Sequence, residues 1–405
     1  MQSNTTDGHA LPRPAALSAA LPAGLPAPGP AARAHGDRVA AHIAAEIRRA
    51  GGWIPFSAYM RLALYAPGLG YYAAGAAKFG AAGDFVTAPE ISPLFGHALA
   101  NQFAEVLQLT GGSVLELGAG TGRLAADVLA RLAARDALPD TYAILEPSPD
   151  LRERQRQMLD RLTPDLAARV RWLDTLPDAW TGVMFGNEVL DALPVELLAR
   201  RGGQCFRRGV ALDAGGGIAW RDEPLAAGAF AAAIEALFPT GDYESEINPE
   251  GEALTGTLAR ILRRGLLLWL DYGFPAREYY HPQRTSGTLM CHFRQHAHAD
   301  PLVLPGLQDI TAHVDFSAIA RAGLDAGADL AGYTSQANFL LGCGIADLLQ
   351  QSGEPGTAEY LRHSNAVQRL LSPAEMGELF KVIAFTRDFD EPLRGFAAGD
   401  RSGRL

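Results

Sequence analysis

A chain of 405 residues, 48% of them apolar, holds material for about two or three domain-sized units with a large core. Its 35 basic and 45 acidic residues leave a net charge of −10, which argues against a general nucleic-acid binder held by phosphate contacts. The three cysteines, Cys205, Cys291 and Cys343, form no Cys-x-x-Cys pair, so neither a disulfide framework nor a thiolate metal site is indicated and a reducing compartment is expected.

Residues 1–36 are dominated by Ala and Pro and read as a disordered tail, because alternating prolines block a helix. The stretch lacks the charged start and apolar core of a secretory signal and is a poor transit peptide. Farther on, the longest strongly apolar run, Gly265 to Leu270, is far shorter than the roughly 20 residues a membrane helix needs, so no span is expected.

From Asp37 to Gly51, Val39, Ile43 and Ile47 recur every four residues and predict an amphipathic helix. A turn rich in glycine and aromatics, Pro67 to Tyr72, and a polar loop, Gly80 to Ser92, lead into a helix over Pro93 to Leu109 with Phe95, Leu99 and Phe103 on one face. Residues 37–110 are therefore expected to form an N-terminal helical cap. The loop from Asp84 to Ser92 is expected to close over a bound ligand as lids do, with Asp84 and Glu90 touching substrate.

The stretch that organises the rest is Ser113 to Arg123. An apolar run, Val114 to Leu117, enters Gly118, Gly120 and Gly122, and a helical pattern follows from Leu124. Alternating glycines let a ligand lie directly on the backbone. The dinucleotide fingerprint needs its third glycine where Arg123 stands, and Glu116 suits a cationic ligand better than a pyrophosphate. S-adenosylmethionine, with a sulfonium and an ammonium, is such a ligand.

Downstream, strand and helix alternate, which predicts an α/β fold with a doubly wound, mostly parallel sheet covered on both faces. The strands are Tyr142 to Leu145, Val170 to Leu173, Val183 to Phe185 and Leu266 to Leu270, ending at or beside Glu146, Asp174, Asn187 and Asp271. In open α/β sheets ligands bind beyond these carboxyl ends. Glu146 is placed to accept hydrogen bonds from a ribose, and Asp174 from an adenine amino group. A helix over Gln336 to Leu349, a strand near Ala328 to Tyr333 and a last strand, Phe380 to Thr386, complete the sheet. The remaining core, 111–405, is interrupted by insertions at about 200–262, opened by a hairpin at Cys205 to Leu212 and Ile218 to Arg221, and at 273–311.

Asn187, Glu188 and Asp191 form the sharpest cluster. If the methyl acceptor is an arginine nitrogen, its cation must be oriented and its charge offset, and Glu188 with Asp191, at i, i+3 spacing, could do both. N-capping of a following helix by Asn187 or Asp191 is the plainer alternative. His292, His296 and His298 match no familiar zinc spacing, and a loop lining a substrate groove is preferred over a metal site. Before a helix near Phe316, Asp309, His313 and Asp315 fit either helix entry or substrate binding, with His313 and Asp315 taken as substrate-binding candidates.

Seven motifs together resemble the MidA-like methyltransferase family. They are Pro55 to Met60, Tyr65 to Tyr72, Gly83 to Ser92, Leu115 to Gly122, Gly186 to Pro194, Asp271 to Gly273 and Asp309 to Phe316. The resemblance spans roughly residues 37 to 390. It implies a class I (Rossmann-like), seven-stranded fold that uses S-adenosylmethionine and releases S-adenosylhomocysteine. Its cofactor motifs fall on Glu116, Gly118, Gly120, Gly122 and Glu146, with Asn187 to Pro194 as the fourth-strand motif. Mitochondrial members imply methylation of a protein arginine, on a respiratory complex I subunit during assembly; the lack of a transit peptide points to a bacterial cytoplasmic member. A non-catalytic S-adenosylmethionine-binding assembly factor and a small-molecule methyltransferase stay open as alternatives. A homodimer is one option for the oligomeric state.

Overall fold

The structure, a computed structural model, describes residues 21–74 and 87–405. Its centre is a sheet of β1 (Ser113–Leu117), β2 (Tyr142–Leu145), β3 (Val170–Leu173), β4 (Trp180–Asn187), β5 (Leu262–Phe274), β6 (Asp329–Ser335) and β7 (Phe380–Arg387). These lie in the order β6-β7-β5-β4-β1-β2-β3. Strands β1 to β5 are mutually parallel, and β7 runs antiparallel between β5 and β6. A two-residue strand, Val314–Asp315, adds in parallel beside the end of β5.

The strands are continuous apolar runs because both faces are covered. Along β5, Leu266, Leu268 and Leu270 pack on one side with Phe95, Phe103 and Leu129 of the helices Pro93–Thr110 and Arg123–Ala133. Leu267 and Trp269 pack on the other with Leu258, Phe316 and Ile319 of the helices Pro249–Ile261 and Phe316–Asp325. Each fully buried Leu or Phe side chain contributes about 1.5–3 kcal/mol, so these layers fix the sheet and with it the edge where β1, β2 and β4 end.

Over that edge sits a second layer built from the N-terminus and both insertions. An antiparallel sheet joins Trp53–Pro55, Glu196–Arg201, Gln204–Leu212, Ile218–Pro224 and Tyr243–Ile247. Val39, Ile43, Phe56 and Tyr59 of the cap share a core with Val195, Leu197, Val210 and Ile310. The cap is thus tied to the insertions by a strand, Ile54 pairing with Val210.

Some boundaries differ from the sequence reading. The first helix begins at Pro30, ahead of Asp37, because proline is well suited to the first helical turn. Leu21 and Leu25 pack against Phe293, Val303 and Leu304 rather than lying in an unstructured tail; residues 1–20 lie outside the described residues. The helix read as Gln336 to Leu349 is two, Gln336–Gly342 and Ile345–Gln351, broken where Gly344 takes φ +81°.

Candidate active site

Beyond β1 the chain turns through Gly118, Gly120 and Gly122 at φ +64°, +52° and +83°, the left-handed region that costs other residues about 1–2 kcal/mol. Gly122 lies tight on Gln155, where a Cβ would come within 3.0 Å of its Cα. Gln155 Nε2 donates to Gly120 O at 3.1 Å, and Thr121 Oγ1 donates to Glu90 Oε1 at 2.6 Å. The turn is thereby held from both sides and lines a cavity of about 730 Å³.

Two acids flank the turn within this cavity. Glu116, on β1, accepts from Tyr142 Oη at 2.7 Å, and burial pushes its carboxyl up to about 8 against the tyrosine donor. Glu146, just past β2, accepts the Ser148 N–H at 2.9 Å and Gln155 Nε2 at 3.3 Å; burial raises its pKa as well. Buried acids with raised pKa values favour a cationic or hydroxyl-bearing ligand, which restores what burial removed.

The loop after β4 forms the opposite wall. Asp271, buried on β5, accepts the N–H groups of Val189, Leu190 and Asp191 on Oδ2 at 3.2, 2.9 and 3.2 Å, and that of Tyr272 on Oδ1. Glu188 N–H bonds to Leu270 O at 2.9 Å, and the residue is held at φ +53°, an uncommon conformation for glutamate. Tyr272 Oη donates to Asp191 Oδ2 at 2.5 Å, while Asp191 Oδ1 and Asn187 Oδ1 are buried with no hydrogen-bond partner among the described residues. Asn187 Nδ2 donates to Glu188 Oε1 at 3.1 Å. Burial, then the neighbouring Asp191 charge, pushes Glu188 up to about 8; burial pushes Asp191 up to about 6 and Asp271 well above the carboxylate range.

Of the candidates read from sequence, Glu116, Gly118, Gly120, Glu146, Asn187, Glu188 and Asp191 line this one cavity, and Gly122 sits directly behind it. Glu90 lines it too, but bonded to the glycine turn. Asp84 lies outside the described residues. Asp174 is not in the lining: its exposed carboxylate pairs with Arg152 at 2.7 Å at the edge of the sheet. His313 is also elsewhere, its ring between Tyr272 and Phe274 with its pKa lowered to about 4 by burial. Asp315 caps the helix Phe316–Asp325 through the N–H groups of Ser317 and Ala318, which is the helix-entry alternative. His292, His296 and His298 lie on a hairpin, Met290–Phe293 and His296–His298, outside the cavity lining, and no group of His, Cys, Asp and Glu able to hold a metal ion occurs among the described residues.

Sequence reading missed Asp271 as the anchor of the loop after β4 and Tyr65 and Tyr72 in the lining, and of Asp309, His313 and Asp315, which it weighed together, Asp309 is the one that lines the cavity. Tyr65 and Tyr72 stack at 5.4 Å, Tyr65 Oη donating to Ala192 O and Tyr72 Oη to Asp309 Oδ1, each at 2.8 Å. These two tyrosines frame the Tyr65 to Tyr72 motif, the one signal that could have found them.

A seven-stranded sheet in this order, with a glycine turn after β1 and acids at the ends of β1, β2 and β4, defines the class I methyltransferases. A family model described as "Putative S-adenosyl-L-methionine-dependent methyltransferase" matches residues 98–334, more than half of the chain, and the chain belongs to that family. A protein from Burkholderia thailandensis crystallised with S-adenosylhomocysteine is 53% identical, with a TM-score of 0.91 over 94% of this chain and all of that one. Relatives named protein arginine methyltransferase NDUFAF7 homolog, mitochondrial, are 29% identical: that of Caenorhabditis elegans over 87% of this chain and 88% of its own, that of Drosophila melanogaster over 82% and 81%. S-adenosylmethionine is accordingly the cofactor, and the buried acids and the glycine turn fit it.

Proposed function

We propose that this methyltransferase acts on the guanidinium nitrogen of a protein arginine. The observation that carries the reading is Asp191, a buried carboxylate with one oxygen held by Tyr272 and the other unpartnered, beside Glu188 in the cavity wall. The lining includes seven carboxylic acids and, among the described residues, no Lys, Arg or His. A planar cation with several N–H donors satisfies such acceptors in pairs, which a point-like ammonium does less well.

When bound, S-adenosylmethionine supplies an electrophilic methyl group on a sulfonium. The chain's own contribution is positioning. Glu116, Glu146 and the glycine turn hold the donor side, and Asn187 links the two sides. Glu188 and Asp191 orient the guanidinium and offset its charge, so that one nitrogen can face the methyl in line. Tyr65, Leu193 and Leu254 in the lining exclude water. The names of the relatives support arginine as the acceptor, and the motif resemblance extends the proposal to a subunit of respiratory complex I.

The test is label transfer from S-adenosylmethionine to a lysate of cells lacking this chain, with the modified residues mapped by mass spectrometry. Methylarginine on a complex I subunit is the expected result. Label on another residue type, or none despite tight cofactor binding, as for a binding-only assembly factor, overturns the reading.

A further inference from the structure

We propose that Asp309 is the third acid of the acceptor site and sets its preference for a guanidinium over a neutral group, with Tyr72 fixing its orientation; this rests on the arginine reading above. The segment Asp309–Thr311 is a short strand of the second insertion, antiparallel to Met290–Phe293. Along it, Ile310 turns into the core shared with the cap, while Asp309 lines the cavity. The segment is locked to the acceptor loop where the Ala312 N–H bonds to Asp191 O at 3.0 Å.

Asp309 is 2% exposed. Its Oδ1 accepts Tyr72 Oη at 2.8 Å and the N–H of its neighbour Ile310 at 3.0 Å, so the carboxyl is fixed by donors from two separate parts of the chain. Its charge acts on Glu188, raising that carboxyl together with Asp191, and it is the first neighbouring charge to act on both Tyr65 and Tyr72 after burial itself. Glu188, Asp191 and Asp309 thus face a common space beside the stacked pair Tyr65 and Tyr72. Three acids in one buried space repel one another unless a cation sits among them. The flat aromatic wall suits a planar cation, which stacks on ring faces as well as bonding at its edges.

The test uses the full chain loaded with S-adenosylhomocysteine and two probes, N-acetylarginine amide and its neutral isostere N-acetylcitrulline amide, measured by calorimetry. The wild type prefers the arginine probe. Asp309→Asn lowers its affinity for that probe at least about tenfold, the worth of a charged hydrogen bond, and leaves citrulline and S-adenosylhomocysteine binding unchanged. Tyr72→Phe, which keeps the carboxyl, shifts the preference the same way by less. If Asp309→Asn lost S-adenosylhomocysteine binding through misfolding, Tyr72→Phe would carry the test alone. Equal loss for both probes, the mark of a purely structural role, overturns the inference. So does an unchanged preference in Asp309→Asn while Glu188→Gln abolishes it, an outcome that leaves the arginine reading standing. A wild type without preference overturns both.

Discussion

The carboxylate of Asp271 accepts the backbone N–H of Asp191 at 3.2 Å, so one buried acid on β5 holds the loop that presents another. The same oxygen takes the N–H groups of Val189 and Leu190. The loop from Glu188 to Asp191 forms no helix of its own, so these amides have Asp271 where a helix would supply carbonyls.

Asp271→Ala leaves four main-chain donors, those of Val189, Leu190, Asp191 and Tyr272, without their acceptor. Each unpaired buried donor costs about 1–3 kcal/mol, partly offset by removing a buried acid whose pKa is already raised. The expected loss is about 3 kcal/mol in urea unfolding, with methyl transfer falling more than about a hundredfold. Unchanged turnover in a folded Asp271→Ala protein would show that the loop keeps its shape unaided.

Glu188 sits at φ +53°, so its backbone is held where glutamate is disfavoured by about 1 kcal/mol. Glu188→Gly relieves that cost and removes a buried acid, and is expected to raise stability by about that amount while abolishing methyl transfer. Glu188→Gln loses activity without the backbone relief. A Glu188→Gly protein less stable than Glu188→Gln in thermal melts would contradict the strain.

Much of this site was legible in the sequence because the strands that carry it are apolar on both faces. Tyr142–Leu145 and Val170–Leu173 match their runs residue for residue, and Glu116, Glu146 and Glu188 follow from where such runs stop. The strands Glu196–Arg201 and Tyr243–Ile247 were not legible. They carry Arg200, Arg201, Glu244 and Glu246, whose accommodation depends on partners such as Asp222 and Arg208 in other strands. That Asp309, and neither His313 nor Asp315, lines the cavity was hidden for a related reason. Which residue of a short segment faces a cavity is set by its strand partner, here Met290–Phe293, and by Tyr72, 237 residues away in the chain. Asp271 looked like one more strand-end acid because the amides it holds lie about 80 residues upstream.

If Glu116 holds the cofactor's ammonium as proposed, its titration links cofactor binding to stability. Its carboxyl is raised from 4.5 to about 8 in the folded chain, so below pH 4.5 folded and unfolded states both keep the proton. Between 4.5 and 8 only the folded state keeps it, and stability falls as pH rises, by up to about 1.4 kcal/mol per unit for each such group. Glu188, raised to the same range, adds in the same direction. The melting temperature of the cofactor-free protein is expected to drop across this window, and Glu116→Gln to flatten the drop. Saturating S-adenosylmethionine, whose ammonium favours the ionised carboxyl, flattens it as well. A melting temperature that rises from pH 5 to 8 would be incompatible with these shifts.

On the proposed arginine reading, acceptor capture carries the opposite dependence. A guanidinium is offset only by ionised carboxylates, and burial holds Asp191 near 6 and Glu188 near 8. At pH 5 both are largely protonated, so the cavity offers hydroxyl donors where the cation needs acceptors. As pH rises, Asp191 ionises first and then Glu188, and the arginine keeps its own charge throughout because its pKa exceeds about 12. The ratio kcat/KM for an arginine-containing acceptor is therefore expected to climb in two steps between pH 5 and 9, mainly through KM. Because these acids lie in one cluster with Asp271, the steps belong to the cluster, and removing one member moves the other. Glu188→Gln removes the neighbour that ionises late and should leave a single rise at the lower pH. Asp191→Asn takes away one of the charges that raise Glu188 and should leave a single rise at a pH below that of the wild-type upper step. A profile of kcat/KM flat from pH 5 to 9 with saturating S-adenosylmethionine would remove both acids from acceptor binding, since no bound cation could leave their titration silent.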